Sequence, residues 1–461
     1  MTSLSFKKTI RFGGMLLGVV LLFSCEKEKQ SNNPDPSTGF SGEIEWINTF
    51  GGSEEDDAFS VARSADGGYA VFGFTQSNDG DVSGKTTTDS DYWLLKLSAE
   101  GEPLWNKTYG GSDDDRGQKI ISTNDGGYAV LGFSKSNDQD VSENSGFHDY
   151  WMAKLSANGA IQWEKSFGYP GSDRGHSLIQ TQDGGYFLVG FLDVTASNGE
   201  GNDPPGDGRT AKSANTLHGV GEFWGIKLDA SGNKEWSHYY GGTNNDRTFG
   251  VLQTDNGGFL MVGHSESDDF DITDPQGSYD VWIVRTDNVG NLLWQKNFGG
   301  SGIEIGYAVT ETQDGDFILV GDTRSSDKDI SNPLGNADFW VIKFKPSGEM
   351  IWEKTYGGSD FESARSIVGM PEGNFLIVGS SQSSGMDVSE NKGRNDIWAI
   401  IIDPAGNLKW ERSFGGSEMD VANEAVLIDE KQVLLVGSSQ SSDGDIPENK
   451  GSKDFVVLKL K

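Results

Sequence analysis

WNKTYGGSDDDRG, residues 105–117, sets a tryptophan, a tyrosine, two glycines and three consecutive aspartates in one short run. The phrase returns as WINTFGGSEEDD from Trp46, WEKSFGYPGSDRG from Trp163, WSHYYGGTNNDR from Trp236, WQKNFGGSGIE from Trp294, WEKTYGGSDFE from Trp352 and WERSFGGSEMD from Trp410. The seven copies are spaced 59, 58, 73, 58, 58 and 58 residues. A near-constant period along most of a chain marks a repeat architecture, in which each unit leans on its neighbours.

One unit, from Gly110 onward, reads as four short strands, a to d. QKIISTNDGGYAVLGFS holds two β-rich runs hinged at Asn124-Asp125-Gly126-Gly127, a strong hairpin signal. DYWMAKLSANGAIQWEKSFG holds two more, hinged at Asn158-Gly159. Helical periodicity is nearly absent. Seven four-stranded antiparallel units make an all-β, seven-bladed β-propeller. The last unit stops after its third strand, DFVVLKLK at 454–461, whereas a copy of the fourth, GEIEWINTFG at 42–51, precedes the first complete unit. Residues 43–49 are therefore expected to close blade seven, pairing two otherwise exposed edges. A closed ring of this kind is expected to be a monomer.

The thirteen tryptophans fill all seven strand-d positions and six of seven strand-c positions (Trp93, Trp151, Trp224, Trp282, Trp340, Trp398), with Val456 at the seventh. Aromatic residues repeated in every blade are expected to pack between sheets rather than stack on ligands. The paired glycines are expected to supply positive φ at the d-to-a corner.

The N-terminus reads as an export signal. Lys7, Lys8 and Arg11 precede a short apolar run, Met15 to Phe23, too short to span a bilayer permanently. Leu22-Phe23-Ser24-Cys25 resembles the lipobox of bacterial lipoproteins, which implies cleavage before Cys25 and its lipidation, with Phe23 departing from the commonest pattern. Cys25 is the only cysteine, so no intrachain disulfide is available. Residues 26–41, rich in Ser, Asn and Pro, read as a flexible tether. The expected organisation is a signal peptide at 1–24, a lipid-anchored tether at 25–41 and a propeller at 42–461, in or on the outer membrane of a bacterium. The chain carries 37 basic and 70 acidic residues, a net charge of −33. That balance argues against nucleic acid and against electrostatic attraction to anionic lipid, and favours cations or a basic partner.

The combination of Gly-Gly-Ser-x-x-Asp, Asp-Gly-Gly-Tyr-x-x-x-Gly, Asp-x-Trp-x-x-Lys-Leu and Gly-x-x-x-Trp resembles the bacterial SBBP-type seven-bladed propeller repeat and is similar to repeats of exported Bacteroidota lipoproteins. The resemblance covers residues 42–461. It implies a fold and an extracytoplasmic address, and no catalytic residues.

The carboxylates follow the repeat. One opens strand a in every unit: Asp56, Asp115, Asp173, Asp246, Glu304, Glu362 and Asp420. Two residues on, each unit has a small side chain, as expected where blades converge on the axis, so strand a is expected to be innermost. A second acid opens strand c: Asp91, Asp149, Glu222, Asp280, Asp338, Asp396 and Asp454. The b–c loop carries Asp-x-Asp as Asp79/Asp81, Asp138/Asp140, Asp269/Asp271, Asp327/Asp329 and Asp443/Asp445, with Asp387 alone in blade six and no copy in blade three. Strand alternation puts all of these on one face, with the long loops. Three roles are open: caps for loop N–H groups, oxygen ligands for calcium, though without EF-hand spacing, or contacts to a protein or glycan partner. Blade three instead has a long insertion, 192–221, with Arg209, Lys212 and His218 in acidic surroundings; loops of this kind are decoration or binding sites.

For catalysis the sequence offers little. Five histidines show no ligand spacing, and neither a Gly-x-Ser-x-Gly elbow nor a phosphate loop occurs. The expected function is an exported, lipid-anchored, non-catalytic binding or scaffold module acting through its acidic long-loop face. The alternative is a glycan-directed hydrolase or a lectin.

Overall fold

The computed structural model describes residues 39–203 and 218–461. The signal peptide, Cys25, the tether up to residue 38, Arg209 and Lys212 lie outside the described residues.

The chain forms seven four-stranded antiparallel sheets in a ring. In blade two, strand a is Asp115–Ser122, b is Tyr128–Ser134, c is Asp149–Leu155 and d is Ile161–Phe167. The turn sequences make these elements: the a–b turns of blades one to six each place a glycine at positive φ, Gly126 at 81° for example, whereas blade seven turns through Glu430-Lys431 without one; at such a φ a Cβ would be strained. Blade seven takes strands a to c from Asp420–Asp429, Gln432–Ser439 and Asp454–Leu460. Its fourth strand is Ile44–Phe50, paired antiparallel with Asp454–Leu460 from Phe50↔Phe455 to Ile44↔Leu460. The closure is sewn further by Lys453, which reaches Asp57 at 2.9 Å, and by Lys450, which reaches Asp81 at 2.6 Å.

The tryptophans divide by strand. All six strand-c indoles are fully buried between sheets. Each meets the neighbouring blade: Trp151 lies 4.6 Å from Tyr92, and Trp93 lies 4.4 Å from Phe455 across the closing seam. Strand-d tryptophans are mostly half-buried and cover the c–d turn of the next blade, where a Cβ on Gly159 would come within 2.8 Å of Trp105.

Strand a is innermost, and each copy is bulged after its small residue, as between Gly117 and Lys119 or Gly175 and Ser177, with a second irregularity between Leu427 and Asp429 in blade seven. The residue left without a cross-strand partner is Phe59, Gln118, His176, Phe249, Tyr307, Arg365 or Asn423 in blades one to seven. A bulge re-aims one side chain out of the pleat. These seven side chains line the axial cavity.

Candidate functional site

The loop face is built around the Gly-Gly-Ser corner, on which three acids converge from different elements. Asp115, opening strand a, is fully buried. Its Oδ2 accepts hydrogen bonds from Gly111 N at 2.7 Å and Ser136 Oγ at 2.8 Å, and its Oδ1 accepts from Ser134 Oγ. Ser136 Oγ in turn accepts from Asp113 N at 3.0 Å. The other strand-a acids repeat the arrangement. The second glycine N donates to Asp56, Asp246, Glu304, Glu362 and Asp420 at 2.7–2.8 Å. In blade three Tyr169 N and Asp193 N donate to Asp173, both at 2.8 Å.

The Asp-x-Asp residues serve the same corner from the b–c loop. The first acid accepts from the N–H after the glycine pair: Asp79 from Ser53, Asp138 from Ser112, Asp269 from Thr243, Asp327 from Ser301 and Asp443 from Ser417, at 2.7–2.9 Å. The second accepts from the first glycine: Asp81 from Gly51, Asp140 from Gly110, Asp271 from Gly241, Asp329 from Gly299 and Asp445 from Gly415, at 3.0–3.3 Å. The lone Asp387 reaches Gly357 N at 3.4 Å. Among the described residues no group of three or more His, Cys, Asp or Glu side chains is arranged to hold a metal ion.

The strand-c acid is the third member. Asp149 Oδ2 accepts from Ser145 N and Asp454 Oδ2 from Lys450 N. The Oδ1 atoms of Asp91, Asp149, Asp280, Asp338, Asp396 and Asp454 are buried without a hydrogen-bond partner. Burial pushes the carboxyl pKa of Asp149, Asp280, Asp338, Asp396 and Asp454 up to about 6, and that of Asp91 to about 7. The strand-a acid of the same corner adds repulsion in several blades, Asp56 on Asp454 and Asp420 on Asp396.

This packing corrects the expected reason for the glycine pair. Neither glycine has positive φ in blades one, two, five, six and seven; among the pairs only Gly241, at 153°, does. Space decides instead. A Cβ on Gly110 would lie 2.5 Å from Asp115 Oδ2 and 2.6 Å from Asp91 Oδ1, and one on Gly51 would lie 2.4 Å from Asp454 Oδ1 and 2.7 Å from Asp56 Oδ2. The two carboxylates lean over the first glycine, and a side chain there would collide with both. A Cβ on the second glycine, Gly111, would meet Ser136 Cβ at 2.4 Å and Asp138 Oδ1 at 2.5 Å.

The residues that sequence reasoning missed are the hydroxyls closing strand b. Thr75-x-Ser77, Ser134-x-Ser136, Ser265-x-Ser267, Thr323-x-Ser325, Ser381-x-Ser383 and Ser439-x-Ser441 supply the partners of the strand-a acids or of their loops. The signal was present as a Ser/Thr-x-Ser repeat about twenty residues after each acid; blade three lacks it, as it lacks Asp-x-Asp. Of the blade-three insertion, Gly201 O accepts from Trp224 Nε1 at 2.9 Å and Ser237 Oγ at 2.8 Å, and His218 Nδ1 lies 3.3 Å from Glu222. The described start of the insertion is thus fastened to its own blade.

No protein-family model matches the chain. It is similar to the regulatory protein FlaEY of Caulobacter vibrioides, 23% identical over 413 residues that make up 87% of this chain. The matched region spans 37% of that relative's length. Similar solved structures include a protein of unknown function from Dyadobacter fermentans (13% identity, 91% of this chain and 98% of that one, TM-score 0.42). Sqt1 from Chaetomium thermophilum (10%, 90% and 100%, 0.45) and a puromycin hydrolase (12%, 84% and 51%, 0.47) are also similar.

Proposed function

We propose that this chain is an exported, lipid-anchored propeller of the SBBP-type repeat class that acts as a non-catalytic binding or scaffold module, presenting its acidic long-loop face to a protein or glycan partner. The observation that carries the reading is the use of the repeat acids. Each strand-a carboxylate is enclosed and accepts hydrogen bonds from donors of its own corner, with only Asp246 Oδ1 left without a partner among the described residues, which suits a rigid ledge rather than proton transfer to a substrate. A regulatory role is what the name of the distant relative carries for that protein.

Anchoring and binding are separable experimentally. Cys25→Ser should abolish palmitate labelling and release the chain from membranes, while incorporation that persists would remove the anchor from the reading. For the face, a soluble form beginning at residue 26 should bind partner glycans or basic proteins and return a panel of oligosaccharides chemically unchanged. Cleaved products would put a glycan-directed enzyme in its place.

A further inference from the structure

The axial cavity is a ligand-sized space of about 530 Å³ with a lining unlike the rest of the repeat. Strand a keeps its opening acid and the small residue two positions on in every blade, whereas the bulged position differs in almost every blade and turns its side chains towards the axis. On one side four consecutive blades form a continuous shelf. His176 stacks on Phe249 with centroids 4.9 Å apart and planes at 16°, Phe249 lies 5.2 Å from Tyr307, and the Arg365 guanidinium sits 4.0 Å from the Tyr307 ring centre. On the other side Glu424 accepts from Ser60 Oγ at 2.6 Å and from Val61 N at 2.9 Å, and is paired with Lys119.

The charges do not balance. Among the lining residues Lys119 and Glu424 neutralise each other, whereas Arg365 forms no ion pair with any described residue and its Nε is buried without a hydrogen-bond partner. Burial raises the pKa of Asp322, and the charges of Arg365 and Arg324 lower it; Asp322 Oδ1 accepts from Ser363 Oγ at 2.7 Å, and no hydrogen bond joins its Oδ2 to Arg365. His176 Nδ1 donates to Thr248 O at 2.9 Å, a carbonyl that can only accept, so Nε2 carries the lone pair. Burial, with repulsion from Arg247 and Arg174, pushes the His176 pKa down to about 4, keeping the ring neutral. The lining therefore offers flat aromatic faces, one guanidinium without an ion-pair partner among the described residues, and one imidazole acceptor. A cavity of this size with convergent polar groups is the size class of small-molecule sites.

We propose that the axial cavity binds a small aromatic carboxylate, with its ring against the Phe249–Tyr307 shelf, its carboxylate on Arg365 and a hydroxyl or N–H donor on His176 Nε2. Guanidinium and carboxylate match as planar, bidentate partners. This site is independent of the loop-face reading, so either can fail alone.

The test uses the propeller from residue 26 and four probes: 4-hydroxybenzoate, its neutral amide 4-hydroxybenzamide, glucuronate and 4-hydroxybenzyltrimethylammonium. Calorimetry and ligand-observed NMR should show saturable one-to-one binding of 4-hydroxybenzoate, at least tenfold weaker binding of the amide, and no binding of the cation. Arg365→Gln should weaken 4-hydroxybenzoate at least tenfold with an unchanged circular dichroism spectrum. Arg365→Lys should retain part of the affinity, and Asp79→Asn on the loop face should leave it unchanged. Equal binding of acid and amide, an unaffected Arg365→Gln, or no saturable binding of 4-hydroxybenzoate would overturn the proposal. Binding of glucuronate in its place would overturn the aromatic part of it.

Discussion

Asp115 gives the sharpest test of how the loop face is held. In Asp115→Ala three donors lose their acceptor: Gly111 N, Ser134 Oγ and Ser136 Oγ. The hydroxyls can rotate to other oxygens, at a cost of about 1 kcal/mol each. Gly111 N–H is fixed by the backbone and would be buried unsatisfied, at about 1–3 kcal/mol. Removing a desolvated carboxylate, whose pKa burial already raises, offsets part of this. The net loss is about 3 kcal/mol, and at about 2.1 cal/mol/K per residue a ring of this size loses roughly 1 °C of Tm per kcal/mol. Asp115→Asn should cost less, about 1 kcal/mol, because the amide oxygen can keep Gly111 N and Ser136 Oγ while its NH2 turns to Ser134 Oγ, whose own donor then loses its acceptor. Asp138→Ala, which frees the single N–H of exposed Ser112, should cost about 1 kcal/mol or less. Urea unfolding followed by tryptophan fluorescence, with differential scanning calorimetry, measures all three. If Asp115→Asn matches wild type and Asp115→Ala falls within 0.5 kcal/mol of it, about the scatter of neutral surface changes, the corner is not held by this acid.

Gly110→Ala should destabilise more than Gly126→Ala despite the ordinary φ of Gly110, since its Cβ meets two carboxylate oxygens whereas Gly126 has nothing within 4 Å; equal melting temperatures would refute the steric account. Stability should fall as pH rises from 5 to 8. Buried acids such as Asp149 and Asp454, raised to about 6, hold protons more tightly folded than unfolded, so their contribution is complete below 3.8 and lost as pH passes 6. Asp125 and Asp314, lowered to about 2 by hydrogen bonds from Lys154 and Lys343, act oppositely below 3.8, so the optimum should lie near pH 4–5; midpoints in urea that rise steadily to pH 8 would contradict this. Deleting residues 25–50 should strip Asp454–Leu460 of its partner and lower stability or solubility, whereas deleting 26–38 should be nearly silent; equal melting points would mean that the seam carries little. Asp79→Asn with Asp81→Asn keeps the oxygen acceptors for Ser53 N and Gly51 N and gives up only the partly exposed ion pair of Asp81 with Lys450, so about 1 kcal/mol or less should be lost. Loss of a calcium-dependent melting shift in that double variant would instead assign the loop to calcium.

The architecture was legible because its determinants are local and repeated. Asp-Gly-Gly turns, alternating apolar runs and a misplaced strand-d copy at 42–51 name the strands and their closure without tertiary information. The capping acids were half legible. Their register was visible, but their partners lie about twenty residues away at the end of strand b, and only the fold brings Ser134 and Ser136 onto Asp115. The glycine pair was misread because positive φ is the usual reason for glycine, whereas crowding by two carboxylates arises only once strands a and c are side by side. The axial side chains were not legible at all. A bulge breaks the alternation on which strand reading depends, and residues as unlike as Phe59, Gln118 and Arg365 share a role that no pattern of residue type records.

The closing seam also dictates an order of events during synthesis. Ile44–Phe50 leaves the ribosome before any complete blade, yet its partner Asp454–Leu460 is the last of the ring's strands to be made. Until then the nascent chain carries an unpaired strand at its beginning and an open sheet edge at its growing end, both able to recruit foreign strands. Contacts such as Thr49 Oγ1 to Glu448 O join residues 399 apart in sequence, which places closure among slow, non-local steps. A ribosome that stalls inside the final blade would therefore release a product damaged at both ends, with its first strand orphaned as surely as its last is missing.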